Sequence, residues 1–206
     1  MKRILTILLL CLITVSSLMA QNTKVKEDKK RINGSKREVL YVVIPNAEDK
    51  DVEKAWKDIM KNYNAEKVKG RKEIFADNAM ITSVADHAVD VYARVDKKDN
   101  LVEFYIAVDL GGAYMGSDHP AEQRAMKTIV QNFAQQVAKE AFEKLREEKA
   151  KMVKDLEKEK KHLEKKNEQY QGKIEDNLKE IENLKKELEK QNKLLEEAQK
   201  NLKQMN

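Results

Sequence analysis

The stretch VDVYARVDKKDNLVEFYIAVDL, Val89 to Leu110, decides the fold. Val89, Val91, Ala93 and Val95 alternate with Asp90, Tyr92, Arg94 and Asp96, and a period of two marks a strand with one packed and one more polar face. Lys97-Lys98-Asp99-Asn100 supplies a turn, after which Leu101 to Leu110 resumes a β-rich run. A hairpin with one apolar face needs a cover. The chain offers one in Met126, Ile129, Val130, Phe133, Val137, Phe142 and Leu145, which spread over a broad helical face as expected where a helix lies on a sheet.

Beyond about Leu145 the apolar face narrows to a heptad seam. Its a positions hold Arg146, Val153, Lys160, Asn167, Ile174, Ile181, Leu188, Leu195 and Leu202. Its d positions include Leu156, Leu163, Tyr170, Asn177, Leu184, Gln191, Ala198 and Met205. A repeat of 3.5 residues keeps one stripe facing a partner helix, which is the physical condition for a coiled coil. Glu168, Glu175, Glu182, Glu189 and Glu196 each precede, by four residues, a column of lysines interrupted only by Gly172. Each Glu to Lys pair at that spacing adds about 0.3 to 0.5 kcal/mol to an exposed helix. Gly172 falls in the solvent-facing lysine column and the heptad phase continues past it, so the helix is expected to run on rather than turn back as a hairpin. From Pro120 to Met205 it would be roughly 130 Å long at 1.5 Å per residue.

Upstream of the hairpin, Ala65 to Ile81 reads as one or two short strands. Val52, Trp56, Ile59, Met60 and Tyr63 share one face of a helix that closes near Asn64. Before it, Val39 to Ile44 forms a buried strand that ends at Pro45. Residues 21–38 carry seven basic and three acidic groups and read as a basic polar tether, with Asn33-Gly34-Ser35 noted as a glycosylation sequon. Residues 1–20 read as an export signal: Lys2 and Arg3, an apolar run from Ile4 to Val15, and a cut after Ala20. Cys11, the single cysteine, lies within that signal, so the mature chain would have no thiol chemistry. The expected fold is therefore α+β: a small antiparallel-sheet head in β-α-β-β-β order at 39–118, covered by the start of a long C-terminal coiled-coil helix at 119–206.

The formal charge of +5 falls to 39 basic against 36 acidic side chains without Lys2 and Arg3. A basic leader on an acidic body favours an anionic membrane surface or polymer over nucleic acid, which an exported protein would rarely meet. The loop Asp109-Leu110-Gly111-Gly112-Ala113-Tyr114-Met115-Gly116-Ser117-Asp118 has the glycine spacing of a phosphate loop but lacks its lysine. It reads instead as a chain reversal, with Ser117 or Asp118 as N-cap and Pro120 in the first helical turn. Asp109, Gly111, Gly112, Tyr114, Ser117 and His119 then form a recognition loop. His87 beside Asp86, and His119 beside Asp118, lack the spacing of a metal site, and no serine lies in a nucleophile elbow. No catalytic, cofactor-binding or metal-ligating set is assigned.

The basic exported chain with long helices resembles the periplasmic Skp holdase family in gross architecture. It departs from that pattern in having no β-rich segment after the long helix. The expectation is thus an exported, non-enzymatic scaffold, spacer or partner-binding protein of the bacterial envelope. Its helix would associate with copies of itself, as a dimer or trimer, through Leu156, Leu163, Asn167, Tyr170, Ile174, Ile181, Leu184, Leu188, Leu195 and Leu202, and its head would meet an envelope protein or polymer. The alternatives are a holdase chaperone and, third, a hydrolytic or metal-binding enzyme of the head.

Overall fold

The computed structural model describes residues 23–204, so the export signal at 1–20 and the ladder residue Met205 lie outside the described residues. The chain is α+β. Its elements are β1 (Lys26–Ile32), β2 (Ser35–Pro45), α1 (Asp49–Asn62), β3 (Lys67–Gly70), β4 (Glu73–Ala79), β5 (Val89–Lys98), β6 (Leu101–Asp109) and α2 (Pro120–Gln204). The strands form one antiparallel sheet in the order β1-β2-β6-β5-β4-β3. The expected hairpin is β5–β6, with Lys98 opposite Leu101 across Asp99-Asn100 and Asp99 at φ 49°.

The alternation at Val89 to Val95 sets one face of this sheet against the helices. Val91, Ala93, Phe104, Ile106, Val42 and Ile44 are buried there against Val52, Trp56 and Met60 of α1 and Met126, Val130, Phe133 and Val137 of α2. Trp56 is fully buried and meets Phe104 and Phe133 edge-on, at 5.0 Å from each ring. Such pairs add roughly 0.5 to 1.5 kcal/mol beyond the area they bury. Helix α1 ends where Tyr63 caps it and Asn64 turns left-handed at φ 54°. Asn tolerates that region better than most residues, which is why the helix stops there.

The expected tether at 21–38 requires correction: Lys26 to Ile32 is an edge strand, and β2 begins at Ser35 rather than Val39. Asn33 and Gly34 link the two strands with φ values of 49° and 74°, the two left-handed residues that a tight two-residue hairpin demands. The head therefore has a further hairpin, giving a β-β-α-β-β-β-β order before the long helix.

This hairpin curls over the face of the sheet turned away from the helices. In a flat sheet β1 and β5 would stand about 14 Å apart, three strand spacings. Yet Lys30 Nζ lies 3.1 Å from Asp96 of β5, and Ile32 is buried with Val39, Tyr105 and Ala107. The small side chain of Ala107 leaves room for Ile32. Two hydrophobic layers thus enclose the sheet, a large one under the helices and a small one under β1.

The chain divides into two units after Glu147. The first holds the sheet, α1 and the sheet-covering turns of α2, whose last well-buried residue is Ala138. The second, from Glu148, consists of the remainder of α2, and the helix passes through Gly172 without a break. Among the described residues, no helix is long and apolar enough to cross a membrane.

Candidate functional site

The second unit carries the heptad residues on one continuous helix. Leu156, Leu163, Tyr170, Ile174, Ile181, Leu184, Leu188 and Leu195 are all exposed, at 47 to 62% of their full accessible area, and Asn167 between them is exposed as well. Leu202 lies in the last turns of the same helix. Val153, another a position, is exposed as well, and Met152, Leu178 and Leu194 beside the heptad positions widen the apolar stripe. The flanks are charged, and Lys186–Glu182 and Lys193–Glu189 are ion pairs at 3.0 Å. At this exposure such pairs contribute a few tenths of a kcal/mol at most. Covering such a stripe would contribute more than the flanking charges, at about 25 cal/mol per Å² of apolar surface removed from water.

In the first unit, the loop after β6 is held down rather than free. Leu110 donates its N–H to Ala113 O at 2.9 Å, Met115 donates to Val108 O at 2.7 Å, and the Met115 side chain is buried. Gly111 has φ 89°, and its N–H donates to Asp109 Oδ1 at 3.1 Å. The Arg37 guanidinium lies over the Tyr114 ring at 3.4 Å. Of the recognition residues, Asp109 and Tyr114 are half-buried, Gly111, Gly112 and Ser117 are exposed, and His119 is half-buried.

The start of α2 corrects the expected cap. Gln123 donates to His119 O and Pro120 is the first helical residue, so His119, not Ser117 or Asp118, occupies the N-cap position. His119 Nδ1 is buried without a hydrogen-bond partner among the described residues. The carboxylate of Glu38 accepts the Ser117 N–H at 2.8 Å and lies against Gly116. The protein's own carboxylate therefore stands where a phosphate loop would hold its anion.

His87 ties two loops together. Its Nε2–H donates to Leu110 O and its Nδ1–H to Asp86 Oδ1, both at 2.9 Å, an arrangement that uses both ring nitrogens as donors. The hydrogen bond to Asp86 raises the His87 pKa above its ordinary value, and the same bond lowers that of Asp86. No hydrogen bond joins His87 to His119, and no group of three or more His, Cys, Asp or Glu able to hold a metal occurs among the described residues.

The face under β1 carries functional groups that the sequence did not single out. Tyr41 and Tyr105 stack at 4.9 Å, and both hydroxyls donate to Glu103, at 3.2 and 2.9 Å. Burial, and then the Glu103 charge, pushes Tyr41 up to about 12. Burial alone would raise Glu103, but hydrogen bonds from Lys98 and Tyr105 hold it below the usual carboxylate range. Lys30 sits 4.1 Å over the Tyr105 ring, and Phe75 and Tyr92 stack at 4.8 Å nearer the opposite edge. Of these, Tyr92 occupies a polar position of the β5 alternation, whereas Tyr41 lies in the strand that the sequence reads as buried. The Asn33-Gly34 pair was the available signal that a hairpin would cover part of that face.

The fold and its surfaces define a class no narrower than an α+β head with a long, apolar-seamed helix. Comparison with protein-family models, with curated proteins and with solved structures finds no match.

Proposed function

We propose that this protein is an exported, non-enzymatic scaffold that presents its α+β head on a stalk formed by copies of the same helix. The observation that carries the reading is the unbroken helix through Gly172 with its large apolar side chains at heptad spacing and open to solvent. A single helix cannot bury that stripe, and symmetric self-association is the commonest way to do so. Asn167 and Lys160 at a positions favour a two-stranded coil, where a polar layer fixes register at some cost in stability. Function then follows from multivalency: several heads on one rod raise local concentration without improving any single contact.

The exposure of the same stripe also supports a second reading, a holdase that lends its seam to unfolded clients. One pair of variants separates the two. Ile181→Lys places a charge in the seam and should return the protein to monomers in light scattering, while Glu182→Lys, on the outer face, should leave its mass unchanged. A scaffold loses multivalent capture when Ile181 is replaced. If the Ile181→Lys variant keeps the wild-type mass, the seam is not the association surface and the stalk reading fails.

A further inference from the structure

One cleft in the head remains outside these roles. It encloses about 440 Å³ between the tips of two hairpins, with Ile32 and Asn33 on one side, Lys69 and Gly70 on the other, and Phe75 and Tyr92 along its floor. That volume lies within the range of small-ligand clefts. Phe75 and Tyr92 are half-buried, so their rings are not sealed by the protein.

The β3–β4 side is cationic. Lys69, Arg71 and Lys72 are exposed, and none has an ion pair among the described residues. Lys69 Nζ lies 5.4 Å from the Phe75 ring centre. The neighbouring acid, Glu73, is engaged by Arg94 at 3.2 Å, and Arg94 also holds Asp96. The cations are therefore not neutralised from within the hairpin. They are carried on a turn shaped by Gly70, which has φ 100° and whose added Cβ would stand 2.0 Å from Glu73 O. Only glycine permits that turn, so the backbone bearing the three cations is set before any ligand arrives.

We propose that this cleft binds a segment of acidic polysaccharide, with one sugar ring against the half-buried rings of Phe75 and Tyr92 and its anionic groups meeting Lys69 on the cleft wall and Arg71 and Lys72 in the adjoining turn. Three features select that chemistry. An aromatic floor suits the C–H face of a pyranose ring. Planar polar side chains at the rim, Asn33 and Glu73, suit hydroxyls, and unpaired cations suit carboxylate or sulfate groups. A ring-free polyanion would make no use of the floor, and a flat anionic bilayer would not reach a floor recessed between two hairpins. The inference concerns the head alone and stands whether or not the stalk associates, although several heads on one rod would suit a repetitive polymer.

The test is calorimetric titration of the full mature chain with a hexamer of galacturonic acid, with maltohexaose as the neutral match and phosphatidylglycerol vesicles as the lipid comparison. The acidic hexamer should bind at least tenfold more tightly than maltohexaose, and more weakly as salt is raised. Arg71→Glu with Lys72→Glu, both exposed and outside the core, should weaken binding about tenfold, and Phe75→Leu, which keeps an apolar floor but removes the ring, should weaken it about fivefold. The proposal is overturned by no binding of the acidic hexamer, by equal binding of maltohexaose, by binding to vesicles alone, or by binding that neither variant changes. Light scattering on the same samples reports the stalk separately, so failure of one reading does not count against the other.

Discussion

Replacing Ile32 by alanine tests whether residues 26–32 belong to the folded head. Ile32 is 1% exposed and packs with Val39, Tyr105 and Ala107 under the curled hairpin, with Tyr41, Tyr92 and Tyr114 around it. The substitution deletes the side chain beyond Cβ, which at about 0.8 kcal/mol per buried carbon group forfeits roughly 2.4 kcal/mol of transfer free energy. The rigid tyrosine layer and the backbone of β6 cannot close fully over the gap, so a cavity contribution raises the expected loss to about 3 kcal/mol. The assay is equilibrium urea unfolding followed by tryptophan fluorescence. Trp56 is the single tryptophan and is fully buried in the head core, so its emission reports the head and not the stalk. Arg31→Ala is the control: Arg31 is exposed and its side chain donates to the Gly34 carbonyl, so its loss should stay within about 0.5 kcal/mol. An Ile32→Ala variant as stable as the control would refute the packing argument and return this segment to the status of a tether.

Two glycines should respond with opposite sign to alanine. Gly70→Ala forces a Cβ onto the Glu73 carbonyl at a positive φ and should destabilise the head by about 3 kcal/mol, whereas Gly172→Ala, in open space on the long helix, should raise helix stability by about 1 kcal/mol, both read from thermal unfolding by circular dichroism. His87, with its pKa raised by Asp86, should titrate above its ordinary value of about 6.5 in an NMR pH series, and Asp86→Asn should bring it back down. Because the folded pKa is the higher one, the contribution of this tie to holding the two loops is complete below the unfolded value and is lost as pH rises through the folded one. A His87 that titrates at or below its ordinary value would mean that the ring does not donate to both Asp86 and Leu110.

The strongly periodic parts of the fold were legible in sequence. Val89 to Val95 alternate cleanly because one face meets helices, and Trp56 with its neighbours falls on one helical face because α1 packs on that sheet. The strand at 26–32 was not legible, because KEDKKRI contains a single apolar residue. As an edge strand it is held by the ladder with β2, by Ile32, by ion pairs of Glu27 with Lys127 and of Lys30 with Asp96, and by Lys30 over the Tyr105 ring, and lysine-rich edges are how sheets avoid pairing with other chains. The packing of Tyr92 was missed for a related reason: local alternation identifies two faces but not a distant hairpin that folds over one of them. The contact of Glu38 with the Ser117 N–H was not legible either, because Glu38 is remote in sequence. The continuity of the long helix was readable, since it depends only on the pattern along one element.

The central claim is that the seam between Leu156 and Leu202 joins copies of this chain. Its most direct test is the mass of the mature protein in solution by sedimentation equilibrium, beside that of a chain ending at Glu147, where the first unit closes. The account predicts two or three chain masses for the full protein and one for the shortened form, with the Trp56 emission of the head unchanged. A full-length protein that stays at one chain mass across the concentration range, or a shortened form that associates as strongly, would contradict it.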